Sequence, residues 1–259
     1  MPQKPRVLVT GSSGLIGGVT IHALSDRYEF SGLDIIKTDS APDVPTTVAN
    51  LYDFDTVLPA FEGIDAVVHL AADPNQRGSW DTVLNNNIVP TYNVFEAAKR
   101  SGVKRVVYAS SNHAVGMWEL EGAAGQIRTG DYSGYQSGTV PQIDDTVQVR
   151  PDGYYGVGKA FGEAMGAYYA FNFDMEVACL RIGTVSRDDD PKANVRMKAT
   201  WLSHRDAANL IDSCLGCEGL RFEVFYGVSD NTWRFWDTSR AKEITGYSPQ
   251  DNAQDHWTD

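Results

Sequence analysis

Residues 10–18, "TGSSGLIGG", hold four glycines in nine positions directly after the apolar run Val7 to Val9. Gly11, Gly14 and Gly17 recur at G-x-x-G-x-x-G spacing, between a predicted strand (6–10) and a predicted helix (15–25). A turn of this kind lets backbone N–H groups approach a pyrophosphate, and the helix N-terminus adds favourable partial charge. On their own the glycines also suit a plain tight turn. Asp34 decides between the two: it ends the next predicted strand (28–34), about twenty residues on, where a carboxylate hydrogen-bonds the ribose hydroxyls of a dinucleotide. A carboxylate there repels a ribose phosphate, and no arginine clamp lies nearby, so NAD is expected rather than NADP. Lys37 is the only nearby cation that opposes this reading.

Outward from this turn, short apolar runs alternate with stretches of helical spacing. Strands are expected at 6–10, 28–34, 65–70, 105–110 and 175–182, and helices near 15–25, 53–61, 80–101 and 153–172, although Gly162 and Gly166 weaken the last. Strands apolar on both faces alternating with helices indicate a doubly wound, parallel α/β sheet. Residues 117–150, rich in glycine, serine and threonine without a sustained period, read as a lid or a surface insertion. Beyond Thr184 the pattern loosens into a helix (199–215), a strand (221–227) and a short helix (239–247). The expected layout is a dinucleotide-binding core over 1–184, carrying the insertion, and a small mixed substrate-binding part over 185–259.

Composition removes several function classes. The 259 residues are 42% hydrophobic and 22% charged, ordinary for a globular chain with a substantial core. Thirty-four acidic against twenty-two basic residues give a formal charge of −12, which repels phosphate backbones, so no nucleic-acid partner is expected. No apolar run approaches the roughly 20 residues of a membrane span, and "MPQKPRVLVT" has no signal-peptide pattern, so a cytoplasmic protein without membrane association is expected. Cys179, Cys214 and Cys217 are too few for a disulfide framework, and Cys214-x-x-Cys217 lacks the second ligand pair of a zinc site, so no metal is expected.

"RPDGYYGVGKAFGE" sets Tyr155 and Lys159 four apart, hence on one face of a helix. A phenol with an ordinary pKa near 10 is a poor base at neutral pH, and an adjacent ammonium favours its ionised form. The pair alone is common by chance. Ser110 and Ser111 end the run "VVYASS", at the carboxyl edge of the sheet where doubly wound folds bind ligands.

With these motifs in order, nearly the whole chain resembles the extended short-chain dehydrogenase/reductase family, whose members are similar to NAD-dependent epimerases and dehydratases. "HLAA" (69–72), "NIVPTYNVFEAA" (87–98), "LRIGT" (180–184) and "SRAKEITGYSP" (239–249) add to the likeness. The resemblance implies a Rossmann-type fold and a catalytic set of Ser111, which polarises the reacting oxygen, Tyr155, the acid/base, and Lys159, its helper. It implies an NAD site made of Gly11, Ser13, Gly14, Leu15, Ile16, Gly17, Asp34, Asn50, Leu51, Leu70, Ala71, Ala72, Asn87, Ala109, Tyr155, Lys159 and Ile182. Asn87 supports either a proton relay or the local fold. Helices 80–101 and 153–172 pair across dimers in the family, so a homo-oligomer is expected.

Within the family, "ASSNH", "RPDGYYGVGK", "RMKATWLS" and "YGVSDNTWRFWD" are most similar to uronate dehydrogenases, which oxidise the C1 hydroxyl of glucuronate or galacturonate to an aldarolactone. This likeness implies substrate contacts from Asn75, Ser111, Asn112, His113, Tyr155 and Arg196, with Arg196 gripping the substrate carboxylate. A guanidinium fork matches a carboxylate in a bidentate pair. Three alternatives remain open: an archaeal-type glucose-6-phosphate dehydrogenase, which shares "SSNHAVG" and "YGVSDN"; a nucleotide-sugar epimerase or dehydratase; and a non-catalytic NAD-binding regulator. For a sugar phosphate, Arg77, Arg128, Arg187 and Lys192 are the candidate cations.

Overall fold

The computed structural model describes residues 3–38 and 43–257. Seven strands form one sheet: β1 (Arg6–Thr10), β2 (Glu29–Asp34), β3 (Thr46–Val48), β4 (Ala66–His69), β5 (Arg105–Ser111), β6 (Glu176–Ile182) and β7 (Phe222–Gly227). Their order is β3-β2-β1-β4-β5-β6-β7, and every pairing is parallel. β3 was not expected from the sequence. Its three residues are half-buried or exposed at the sheet edge, so they carry no apolar run to read.

The alternation along β1 sorts the two layers. Val7 and Val9 pack on one face with Ile21 and Leu24 of the helix Leu15–Leu24 and with Leu210 and Ile211 of the helix His204–Gly216. Leu8 points the other way, into a core with Val94 and Phe95 of the helix Val89–Arg100 and Tyr169 of the helix Tyr154–Phe173. Phe95 and Tyr169 stack there with ring centroids 5.3 Å apart. Helices on both faces make this the doubly wound, Rossmann-type sheet the sequence indicates. The strand order reverses between β1 and β4, which opens a crevice over their carboxyl ends.

Three segments differ from expectation. The helix expected over 80–101 is interrupted by a π-helical turn at Leu84–Ile88. The helix expected over 199–215 is broken: Met197–Thr200 forms one turn, then Ser203 caps a new helix by accepting from the Asp206 N–H at 3.0 Å. Residues 117–150 are not structureless. They contain the helix Gly122–Ile127, and Ala124, Ile127 and Val140 share a satellite core with Tyr226, Phe235 and Trp236. Among the described residues no helix is long and apolar enough to cross a membrane. Cys214 and Cys217 are buried in the core against the first face.

Candidate active site

The glycine-rich turn is built by close approach. Gly11 has φ +74°, and a Cβ there would lie 2.8 Å from the Ala71 nitrogen, so the turn rests directly on the chain leaving β4. Its N–H donates to the Leu33 carbonyl at 2.8 Å, which ties the turn to β2. Gly14 caps the helix Leu15–Leu24 with no side-chain hydrogen bond, leaving first-turn N–H groups for a ligand. Asp34 accepts from the Ser13 N–H at 2.9 Å, and among the described residues its second oxygen has a long contact to the Ile36 N–H, 3.4 Å. Lys37 donates to the Val44 carbonyl at 3.3 Å.

A groove runs over this turn in two halves. One half, about 470 Å³, is lined by Ser13, Asp34, Asn50, Leu51 and Ala71 among others. The other, about 430 Å³, is lined by Leu15, Ile16, Gly17, Ala109, Ser111, His113, Tyr155, Lys159 and Ile182. Gly11, Gly14, Leu70 and Ala72 belong to both. Two cavities joined across a bare helix N-terminus, with a carboxylate in one of them, fit a dinucleotide whose pyrophosphate lies on the glycines.

The helix Tyr154–Phe173 sets the chemistry of the second half. Its glycines, a weakness in the sequence, are what bring it close. A Cβ at Gly162 would collide with the Tyr108 ring of β5. Four residues past Lys159, the buried Glu163 accepts from Ser110 Oγ at 2.6 Å and takes both Nε and Nη2 of Arg181 at 2.9 Å. These bonds fasten the helix to β5 and β6. Tyr155 thereby reaches Ser111 at the end of β5, and Lys159 Nζ lies 5.6 Å from the Tyr155 ring centre and donates to the Ala109 carbonyl at 2.7 Å. Ser111 Oγ accepts from the His113 N–H at 3.2 Å.

Burial dominates the ionisation here. It raises the Tyr155 phenol to about 12; the hydrogen bond with Ser111 pulls down and the Asp73 charge pushes up. The sequence points to the Lys159 ammonium as the group that favours the ionised phenol; in the ligand-free structure the lowering influence is the hydrogen bond with Ser111. Burial also lowers the Lys159 ammonium to about 8. Between pH 8 and the ordinary value of 10.5 the unfolded chain therefore holds a proton that the folded chain has lost, so stability from this group rises with pH across that window. Below it the burial penalty is fully present. Lys159→Met should stabilise the ligand-free protein by up to about 3 kcal/mol at pH 7. Thermal melts at pH 7 and pH 10 check this, and the gain should shrink at the higher pH.

Several expected contacts are placed otherwise. Asn87 does not line the groove: its Oδ1 accepts from the Asp73 N–H at 2.9 Å and its Nδ2 donates to the Asp73 carbonyl at 3.2 Å, so it braces the loop. Asn75 is exposed and turned into its own loop, accepting from the Arg77 N–H at 3.0 Å, while Pro74 and Gln76 face the groove. Asn112 is buried behind the wall and donates to Glu119 at 2.6 Å. Arg196 presents no open fork, because Glu119 already holds it at 2.6 and 2.5 Å. Arg77, Arg128, Arg187 and Lys192 do not line the groove either. His113 does, with Nδ1 2.7 Å from Asp152 and its ring edge-on to Tyr155 at 5.8 Å. Glu119, Asp152, Glu163, Gln76 and Thr184 were not singled out from the sequence.

The family described as NAD dependent epimerase/dehydratase matches residues 7–209. An NAD-dependent glucose-6-phosphate dehydrogenase of Haloferax volcanii is 38% identical, over 95% of this chain and 94% of its own. An L-arabinose 1-dehydrogenase (NAD(P)(+)) of the same organism is 33% identical, over 96% and 97%. A solved uronate dehydrogenase of Agrobacterium tumefaciens, a tyrosine-to-alanine mutant complexed with NAD, superposes with TM-score 0.81 at 32% identity, over 98% of this chain and 87% of its own.

Proposed function

The chain belongs to the NAD dependent epimerase/dehydratase family, and on that premise we propose that it is an NAD-dependent sugar dehydrogenase that oxidises the C1 hydroxyl of a cyclic sugar to a lactone. The observation that carries the reading is the meeting of Ser111, Tyr155 and Lys159 in the groove half that continues from the glycine turn. A pure NAD sensor needs the glycines and Asp34 but has no use for a proton-transfer set. Three relatives that act on sugars support the substrate class.

Bound NAD supplies the acceptor for the C1 hydride. The residues of this chain do the rest. The Tyr155 phenolate takes the C1 hydroxyl proton. Ser111 donates to the same oxygen and aligns it with the phenol. Lys159, anchored on the Ala109 carbonyl, keeps a positive charge beside the phenol as it ionises. Gln76, His113 and Thr184 line the same groove half and could hold the sugar's hydroxyls, which would orient C1 toward the acceptor.

The solved uronate dehydrogenase supports the hexuronate substrate of the sequence reading, and the glucose-6-phosphate relative supports a sugar phosphate. Absorbance of NADH separates these readings. The purified chain with NAD is offered glucose, galactose, L-arabinose, glucuronate, galacturonate or glucose 6-phosphate, each alone. Sustained NADH formation with any of them supports a sugar dehydrogenase. NAD binding without net NADH from all six would move the assignment to an epimerase, a dehydratase or a regulator.

A further inference from the structure

Behind the sugar end of the groove lies a closed run of side chains, of which Glu119, Arg196, Asn112 and Thr200 have no part in the proposed chemistry. Glu119 Oε1 accepts from Arg196 Nη2 at 2.5 Å and from Asn112 Nδ2 at 2.6 Å, and its Oε2 accepts from Arg196 Nε at 2.6 Å. The free side of the guanidinium donates to Thr184 Oγ1 at 3.0 Å and Thr200 Oγ1 at 3.3 Å. Asn112 Oδ1 in turn accepts from Ser111 Oγ at 3.3 Å. Ser111 and Thr184 both line the groove, so the run passes from wall to wall. The Glu119 side chain is 5% exposed and that of Arg196 17%.

We infer that Glu119 is a built-in carboxylate that fills the anion-binding fork beside the sugar, and that the enzyme therefore selects aldoses carrying no charge at the end remote from C1. The inference rests on the sugar-dehydrogenase reading of the preceding subsection. Glu119 occupies the Nε/Nη2 edge of the Arg196 guanidinium, and Nη1 is taken by Thr184 and Thr200, so neither bidentate edge is open to a second carboxylate. A substrate carboxylate brought to the same fork would meet a second, buried anion, and each disfavours the charge of the other. Displacing Glu119 instead would leave that anion buried and unpaired, which is strongly unfavourable. The described lining of the sugar half contains one Lys or Arg, Lys159, and it is already engaged with Ala109 beside the reacting phenol. What remains is Gln76, Ser110, Ser111, His113 and Thr184, groups that match hydroxyls.

The test compares kcat/KM for matched pairs, glucose against glucuronate and galactose against galacturonate, in the natural protein, Glu119→Gln and Glu119→Ala. The natural protein should prefer the neutral sugar by about a hundredfold or more. Glu119→Gln, which keeps the shape and one accepting oxygen but sets an amide NH2 against a donor and frees the guanidinium charge, should shift that ratio toward the uronate by at least about tenfold. Glu119→Ala should shift it further. Thermal melts and NAD titration by protein fluorescence establish that each variant is folded. A loss of turnover with both sugars alike would mark Glu119 as structural only and overturn the inference. So would a natural protein that prefers the uronate. Absence of turnover with every sugar, NAD binding being intact, would overturn the sugar-dehydrogenase reading beneath it.

Discussion

Tyr155→Phe is expected to lower kcat by about 10³- to 10⁴-fold while changing the NAD dissociation constant by no more than about threefold. The phenol sits half-buried in the groove wall at the junction of Ser111 and Lys159, and the substitution removes one oxygen without opening a cavity. The glycine turn, Asp34 and the groove half beside them lie apart from that oxygen, so dinucleotide binding should persist. Because burial holds the phenol near 12, little phenolate exists at neutral pH, and oxidation by the natural protein should accelerate as pH rises toward about 8, above which Lys159 loses the charge that assists the phenol. Steady-state NADH formation across pH, with fluorescence titration of NAD, checks both parts. Turnover within tenfold of the natural protein would remove Tyr155 from its role as base.

The largest effect on stability is expected at Glu163. Glu163→Ala leaves Arg181, 3% exposed, with its guanidinium unpaired between β6 and the helix Tyr154–Phe173, and frees Ser110. Breaking a buried pair from one side costs about 3–5 kcal/mol, which for a chain of this length lowers Tm by roughly 10 °C. The double variant Glu163→Met with Arg181→Met removes both charges and should recover most of the loss. Calorimetry of the three proteins decides it. A fall of under about 3 °C in the single variant would mean that the network carries little of the fold's stability.

What the sequence conveys depends on how locally each feature is encoded. The glycine turn with Asp34 sits within one strand–turn–helix–strand unit and the Tyr155–Lys159 pair on one helix, so local spacing taken with their order along the chain is enough to point them to the groove. β3 escapes because a half-exposed, three-residue edge strand needs no hydrophobic pattern. The segment 117–150 looks structureless because its core partners, Tyr226, Phe235 and Trp236, lie nearly a hundred residues away. Asn87 and Asn75 sit close to the groove, yet both spend their amides on loop backbone, a choice decided by side-chain direction. Arg196 is the instructive case. Its position was legible from resemblance, but its partner Glu119 lies 77 residues earlier, in the stretch that reads as a lid or surface insertion. Only the folded chain shows that the fork is already filled.

The most direct test of the account follows the C1 hydrogen. The purified protein is given NAD and sugars deuterated at C1, neutral aldoses first, and the reduced dinucleotide is analysed by mass spectrometry. The account predicts NADH carrying one deuterium per molecule of lactone formed, with turnover lost in Tyr155→Phe. Reduced dinucleotide without the label, or labelled sugar returned with altered stereochemistry and no net NADH, would contradict oxidation at C1.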